Sequence, residues 1–152
     1  MKYIGKDIER LIPQRPPFMM VDGFEPLSDD SATTALGIDR NNYFIIGGDE
    51  LSESGIIEHQ AQSVSALAGY NYLLTVGTRR VASASVPDNV SPPVGIIGEV
   101  KHFECLRRPR VGERMVTTVQ MGMTFGNVTL AKCETAIDGE TVARINIKVF
   151  MQ

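Results

Sequence analysis

Glu58 is the residue whose sequence surroundings most clearly suggest acid–base chemistry. It lies in the body of a predicted helix, and no charged residue occurs between Gln60 and Thr78. Burial without a cationic partner raises the pKa of a carboxyl group and so prepares it for proton transfer. Gln62 follows four residues later on the same helix face, where its amide could orient the carboxylate or a substrate oxygen. The alternative is that Glu58 only ends the polar first turns and stays exposed at the helix mouth.

The densest basic run in the chain is a second candidate site. Arg107, Arg108, Arg110 and Arg114 fall in a turn between two predicted strands. Clustered guanidinium groups bind carboxylates and phosphates well, so this run could dock an acidic partner or a phosphate group. The alternative interpretation is a solvated loop.

The histidines and cysteines offer fewer possibilities. His59 lies about 100° around the helix from Glu58, so we interpret it as an interface or packing residue. His102 is on a strand and could face either way, and two histidines exclude any site that needs three imidazoles. Cys105 and Cys133 have no CxxC motif or flanking histidine cluster, which predicts two buried free thiols and no metal site.

One long helix must position these polar groups. We predict it over residues 50–75, because no proline interrupts them and Glu50 and Glu53 lie at the start, where the helix dipole favours negative charge. Ser52 or Ser54 is the expected N-cap. The charge-free run predicts that other structure wraps the helix on most sides, and its several polar residues argue against a membrane span.

The other segments predict a mostly antiparallel sheet. Apolar and polar residues alternate in the last segment, as in a strand with one buried face, and Asp138-Gly139 predicts a tight hairpin before it. We predict a short helix over residues 2–12 and a loop over residues 87–93. The six predicted strands cover residues 18–24, 32–38, 94–106, 115–124, 128–137 and 141–150. This pattern indicates an α+β fold in which a curved sheet wraps around a central helix.

Composition limits the class of protein. The 152 residues are 43% hydrophobic and 22% charged, which is typical of a globular protein with one domain over residues 1–152. A formal net charge of -3 argues against a protein built to bind nucleic acid or anionic lipid. Charged residues interrupt the N-terminal segment, so we expect no secretory signal and a cytoplasmic location.

Four segments, in order, resemble the 3-hydroxyacyl-acyl-carrier-protein dehydratases. The first, LIPQRPPFMMVDGF, is similar to their opening block LPHRxPFLLVD, and IIEHQAQS is similar to their helix motif ExxAQ. The third, RRPRVGERM, resembles their RRPVxPGD turn, and AIDGETVARINIKVF resembles their final hairpin. The family has the hotdog fold, a curved antiparallel sheet wrapped around one long helix. The resemblance therefore implies the same layout as the residue pattern.

The resemblance also implies roles for individual residues. Glu58 matches the family's catalytic acid and Gln62 its helix glutamine. The family's GHFP motif, whose histidine removes the α-proton of the substrate, is replaced here by FIIGGDELSESG, which has no histidine. Asp49 is the only nearby candidate base, and the main-chain N–H groups of Ser54 and Gly55 are candidates to hold the thioester oxygen. A closer resemblance is to the divergent dehydratase-like proteins of aryl-polyene and flexirubin pigment clusters, which also lack this histidine.

From these features we expect a (3R)-hydroxyacyl-[acyl-carrier-protein] dehydratase-like protein of fatty acid or polyene/polyketide biosynthesis. Its substrate would be carried on the phosphopantetheine of an acyl carrier protein, with no other cofactor, and Arg107, Arg108 and Arg110 would dock the carrier. The alternatives are a hotdog acyl thioesterase and a non-catalytic acyl-binding or scaffold subunit. The exposed edges of a lone curved sheet predict a dimer. The resemblance implies that the partner is a second copy or a related dehydratase, in a homodimer, a mixed dimer or a higher oligomer.

Overall fold

The computed structural model describes residues 1–82, 91 and 93–151 of the chain. Nine strands, one α-helix and one 3₁₀ helix are present in these residues. In chain order they are β1 (Tyr3–Ile4), the 3₁₀ helix (Gly5–Arg10), β2 (Gly23–Pro26), β3 (Ser31–Gly37), β4 (Ile45–Ile46), β5 (Glu50–Leu51), α1 (Glu53–Ala82), β6 (Gly95–Cys105), β7 (Arg114–Phe125), β8 (Val128–Ile137) and β9 (Glu140–Met151).

Seven strands form one antiparallel sheet in the order β1-β2-β3-β7-β8-β9-β6, and β4 pairs with β5 separately. Residues alternate between the two faces along β9, as the sequence predicted. The register aligns Val119, Cys133 and Ile145 across β7, β8 and β9, and all three side chains are buried. One face of the sheet therefore forms a continuous apolar surface.

Helix α1 lies against this apolar face. Val64 and Leu67 of the helix are fully buried and belong to the same core cluster as Val119 and Ile145 of the sheet. Gly69 permits close packing on another side of the helix, because a Cβ there would collide with the main-chain carbonyl of Leu11. A helix wrapped in this way by a curved antiparallel sheet is the hotdog fold, so the predicted α+β class is confirmed.

The bounds predicted for the helix, residues 50–75, were wrong at both ends. Ser52 is the N-cap, since its hydroxyl accepts a hydrogen bond from the Gly55 N–H at 3.2 Å. Glu50 lies in the short strand β5. The helix continues through Gly77, where one glycine costs only about 1 kcal/mol and does not end it.

The N-terminal predictions need two corrections. Residues 2–12 form β1 and a six-residue 3₁₀ helix instead of an α-helix, because Gly5 has a φ of 54° that no α-helix contains. The strand predicted at 18–24 begins only at Gly23. Main-chain groups of Phe18 and Met20 bind side chains of α1 instead of another strand.

The remaining strand predictions agree within one or two residues, but β1, β4 and β5 were missed because two residues give no periodic signal. Cys133 is buried as predicted, whereas Cys105 is only partly buried because it ends an edge strand. The loop predicted at 87–93 lies outside the described residues except at positions 91 and 93. Among the described helices, none has the length and apolar composition needed to cross a membrane.

Candidate active site

Gln62 fixes the orientation of the Glu58 carboxylate. Its Nε2 donates to Glu58 Oε1 at 2.7 Å and to the Phe18 carbonyl at 2.7 Å. Its Oε1 accepts from the Met20 N–H at 2.6 Å. A carbonyl can only accept and an N–H can only donate, so these main-chain partners allow one orientation of the amide. Gln62 therefore always presents a donor to Glu58.

This arrangement distinguishes the two carboxyl oxygens of Glu58. Oε1 is the acceptor for Gln62, so an acidic proton on Glu58 would reside on Oε2. Within the described part of the chain, Oε2 forms no hydrogen bond, and the Glu58 side chain is half-buried. The predicted pairing of Glu58 with Gln62 is confirmed, and the alternative of a freely exposed carboxylate is wrong.

A cavity of about 290 Å³ opens beside Glu58, and it is lined by α1, the first residues of β6, β9 and the N-terminal segment. Gly95 leaves room on one side, because a Cβ there would collide with the Ser65 hydroxyl. This volume is near the lower limit of small-molecule sites, roughly 300 Å³, so the cavity suits a slender group. The lining residues are Gln14, Glu58, Ala61, Gln62, Ser65, Gly95, Ile96, Ile97 and Val149.

Gln14 is one of the residues of this cavity that the sequence analysis did not assign. Its Oε1 is buried and has no hydrogen-bond partner among the described residues. A buried acceptor without a partner costs about 1–3 kcal/mol. The available sequence signal was its position, since Gln14 replaces the histidine of the LPHRxPF block that the segment resembles.

The predicted oxyanion donors at the start of α1 are not equivalent. The Gly55 N–H already donates a hydrogen bond to Ser52 Oγ. Gly55 is also enclosed by its neighbours, since a Cβ on this residue would lie 2.6 Å from Cβ of Phe44. Ser54 is exposed and its hydroxyl contacts that of Ser52 at 3.0 Å. Neither residue lines the cavity beside Glu58 within one chain.

Asp49, the candidate base, is also separate from this cavity. It is exposed in the turn between β4 and β5, and its main-chain carbonyl accepts from the Val111 N–H at 2.9 Å. It is not among the residues that line the Glu58 cavity. Within one chain, Asp49 is therefore not placed to act as the base for a substrate bound beside Glu58.

The arginines of the predicted docking patch do come together, but two of them are paired. Arg107 contacts both carboxylate oxygens of Glu113, at 2.9 and 3.0 Å, and this contact lowers the pKa of the Glu113 carboxyl group. Arg108 donates to Glu53 at 3.0 Å and lowers the pKa of that carboxyl group. Arg110 forms no ion pair with any described residue, so its guanidinium group is the one available for a partner.

The two histidines lie in different environments. His59 is fully buried, and desolvation lowers its pKa to about 4. Its Nδ1 lies 2.6 Å from the Met20 carbonyl and its Nε2 lies 2.8 Å from the Thr117 hydroxyl, which confirms it as a packing residue. His102 is exposed at a register irregularity of β6 and does not line the Glu58 cavity. No histidine of the same chain therefore reaches Glu58.

Other cavities among the described residues have different linings. A larger cavity of about 460 Å³ lies on the outer face of the sheet, where Lys101, Lys132 and Lys148 line it together with apolar residues. It contains no carboxylate. Across residues 1–82 and 93–151, no three His, Cys, Asp or Glu side chains are grouped so that they could hold a metal ion.

A family model described as ApeP-like, ApeP dehydratase, matches residues 6–152. The chain belongs to the ApeP-like dehydratase family. No curated protein sequence matches this ApeP-like chain. This membership agrees with the resemblance seen in the sequence.

Several solved structures are similar to this ApeP-like protein in fold. The dehydratase heterocomplex ApeI:P from Xenorhabdus doucetiae contains a chain with a TM-score of 0.74 and 13% identity, over 95% of this chain and 90% of that chain. The PaaI protein from the phenylacetic acid degradation operon of E. coli has a TM-score of 0.61 and 10% identity, over 84% and 80% of the two chains. A hypothetical thioesterase from Streptococcus pneumoniae TIGR4 with coenzyme A has a TM-score of 0.60 and 8% identity, over 86% and 84%. At these identities the likeness establishes the fold alone.

Proposed function

We propose that this protein is a dehydratase subunit of polyene biosynthesis that acts on 3-hydroxyacyl groups carried on the phosphopantetheine of an acyl carrier protein. The observation that supports this proposal is the Glu58–Gln62 pair, which leaves one carboxyl oxygen of Glu58 unbound beside a slender cavity. Membership of the ApeP-like dehydratase family supports the reaction class. The substrate and the carrier are parts of the proposal.

In the proposed reaction, Glu58 gives its Oε2 proton to the 3-hydroxyl group, which leaves as water. A base takes the proton from C2, and the electron pair of that C–H bond forms the C2–C3 double bond. Gln62 keeps Oε1 of Glu58 occupied, so that the proton stays on the oxygen that faces the hydroxyl group.

We further propose that the base comes from a second subunit. Both nitrogens of His59 are engaged in the core, and neither His102 nor Asp49 lines the Glu58 cavity. Strand β6 supplies three residues of this cavity and forms one edge of the described sheet, with Ile96 exposed. A partner that pairs with β6 would therefore lie next to Glu58. The ApeI:P heterocomplex, a similar structure in fold, offers a precedent for a mixed assembly.

The test is turnover of a 3-hydroxyacyl carrier by this protein alone, by a histidine-bearing hotdog relative alone, and by both together. The mixture should be active and should lose roughly 10²- to 10⁴-fold in rate with Glu58→Gln, since a positioned acid contributes about that much. A mixture indifferent to Glu58→Gln would contradict the proposal. Rapid turnover by this protein alone would instead show that Asp49 or another group of this protein replaces the histidine, with no need for the relative.

Product mass distinguishes the remaining alternatives. Loss of one water supports dehydration, whereas release of a free acid would indicate a thioesterase. Binding of an acyl carrier without any turnover in any combination would indicate a non-catalytic acyl-binding subunit.

A further inference from the structure

A chain of buried polar side chains crosses the core between the sheet and α1. Gln60 Nε2 lies 3.0 Å from Thr135 Oγ1, and Thr135 Oγ1 lies 2.7 Å from Thr117 Oγ1. Thr117 Oγ1 lies 2.8 Å from Nε2 of His59, whose Nδ1 lies 2.6 Å from the Met20 carbonyl. All four side chains are buried.

When His59 is neutral, the direction of every hydrogen bond in this chain follows from the groups at its two ends. The Met20 carbonyl can only accept, so His59 Nδ1 carries the hydrogen and donates it. A neutral His59 then has a bare Nε2, which must accept from the Thr117 hydroxyl. Thr117 therefore accepts from Thr135, and Thr135 accepts from the Gln60 amide. Burial, which lowers the pKa of His59 to about 4, is consistent with a neutral ring.

This chain meets the candidate acid at Met20. The Met20 carbonyl accepts from His59, and the Met20 N–H donates to Gln62 Oε1. Gln62 in turn donates to Glu58. Three hydrogen bonds from two helix side chains thus hold the segment from Phe18 to Met20, which has no strand partner.

We propose that His59 is a positioning residue which, as the neutral Nδ1–H tautomer, fixes the backbone of Met20 and thereby the orientation of Gln62 and Glu58. The expected effect of His59 on turnover rests on the proposed function, whereas its expected effect on the positions of Met20 and Gln62 does not. His59 itself does not touch the cavity beside Glu58.

A second buried branch provides a matched control. Ser63 Oγ donates to the His59 carbonyl at 2.7 Å, and Thr34 Oγ1 lies 2.6 Å from Ser63 Oγ. This branch is as buried as the first and lies on the same helix, but it does not reach Met20, Gln62 or Glu58. Thr34→Val should therefore disturb packing without disturbing the acid.

The decisive comparison is His59→Asn with His59→Gln. The Asn amide nitrogen can take the place of Nδ1 and donate to Met20, whereas the longer Gln places its amide near Nε2. We expect His59→Asn to keep the NMR signals of the Met20 N–H and the Gln62 side-chain amide near their wild-type positions. His59→Gln should shift both, and Thr34→Val should shift neither. In the active assembly, kcat should fall roughly 10²-fold in His59→Gln with KM little changed, because small misplacement of a reacting group costs about that much.

Nitrogen NMR of the wild-type protein tests the tautomer without relying on either variant. A hydrogen on Nε2, or a charged ring at neutral pH, would overturn the proposal, and so would equal shifts in His59→Gln and Thr34→Val. If turnover is indifferent to Glu58→Gln while the Met20 and Gln62 signals behave as expected, the proposed function fails and the positioning role stands. If Glu58→Gln abolishes turnover but His59→Gln leaves these signals and kcat unchanged, the positioning role fails alone.

Discussion

Gln62→Leu is the substitution that most directly tests how the site is built. It leaves the Met20 N–H without an acceptor in a buried place, and it removes the donors to Phe18 and Glu58. The buried N–H alone should cost about 1–3 kcal/mol, and the lost bond to Glu58 about 0.5–1.5 kcal/mol. The Phe18 carbonyl is only partly buried, so water can replace its partner. We expect the free energy of unfolding to fall by about 2–3 kcal/mol.

Gln60→Leu is the control, because the same chemical change occurs two residues earlier on the same helix. Gln60 makes one side-chain hydrogen bond, to Thr135, and its buried Oε1 has no partner among the described residues. Losing the bond costs about 0.5–1.5 kcal/mol, while removing the unpaired acceptor recovers about 1–3 kcal/mol. The net change in stability should therefore be near zero or slightly stabilising.

Urea unfolding at one fixed protein concentration measures the free energy of unfolding of both variants. The value for Gln62→Leu should be lower than that for Gln60→Leu by about 2 kcal/mol, with an unchanged m-value. Fixed concentration matters because an oligomer gains apparent stability with concentration. If the two variants unfold at the same urea concentration, Gln62 does not hold the N-terminal segment as described.

Three further results are expected. Arg110→Ala should weaken binding of an acyl carrier about two- to fivefold, and it should reduce the salt dependence of binding more than Arg108→Ala does, because Arg108 is already paired with carboxylates. Titration at two ionic strengths measures both effects, and equal effects of the two substitutions would argue against a free Arg110 guanidinium group. Iodoacetamide should label Cys105 in the native protein but Cys133 only after unfolding, since Cys133 is buried and burial raises the pKa of its thiol to about 12. Mass spectrometry identifies the labelled residue, and labelling of Cys133 in the native protein would show that the core opens. Gly69→Ala should lower the free energy of unfolding by about 1–3 kcal/mol, because the new Cβ would collide with the main-chain carbonyl of Leu11. Thermal unfolding measures this change, and an unchanged Tm would mean that the segment around Leu11 can move away from the helix.

The sequence was informative where residues repeat at a regular spacing. The strands β7, β8 and β9 and the long helix follow from alternation, the hairpin turn and the charge-free run, and Glu58 was chosen because it lies just before that run. The pairing with Gln62 follows from their spacing of four residues, although the other partners of Gln62 come from Phe18 and Met20, more than forty residues away.

Tertiary context determined the features that the sequence analysis missed. Residues 18–22 have a strand-like composition, but side chains of α1 bind main-chain groups of Phe18 and Met20, so no ladder forms at these two residues. Gln14 had only its position in the LPHRxPF-like block as a signal, because its place in the site depends on the cavity that other elements create. The pairing of Arg108 with Glu53 also joins separate parts of the chain.

The hydrogen bonds of the core chain run in one direction when His59 is neutral. This direction restricts which residues can occupy positions 59, 117 and 135 in related proteins. Thr117 and Thr135 face each other across β7 and β8, and each must both donate and accept a hydrogen bond. Serine can do the same, but valine, which has the same shape as threonine, cannot. An apolar residue in the place of His59 would remove the need for both hydroxyl groups at once. Among relatives, these three positions should therefore change together, with mixed combinations rare, and an alignment would reveal this joint variation without any experiment on the protein.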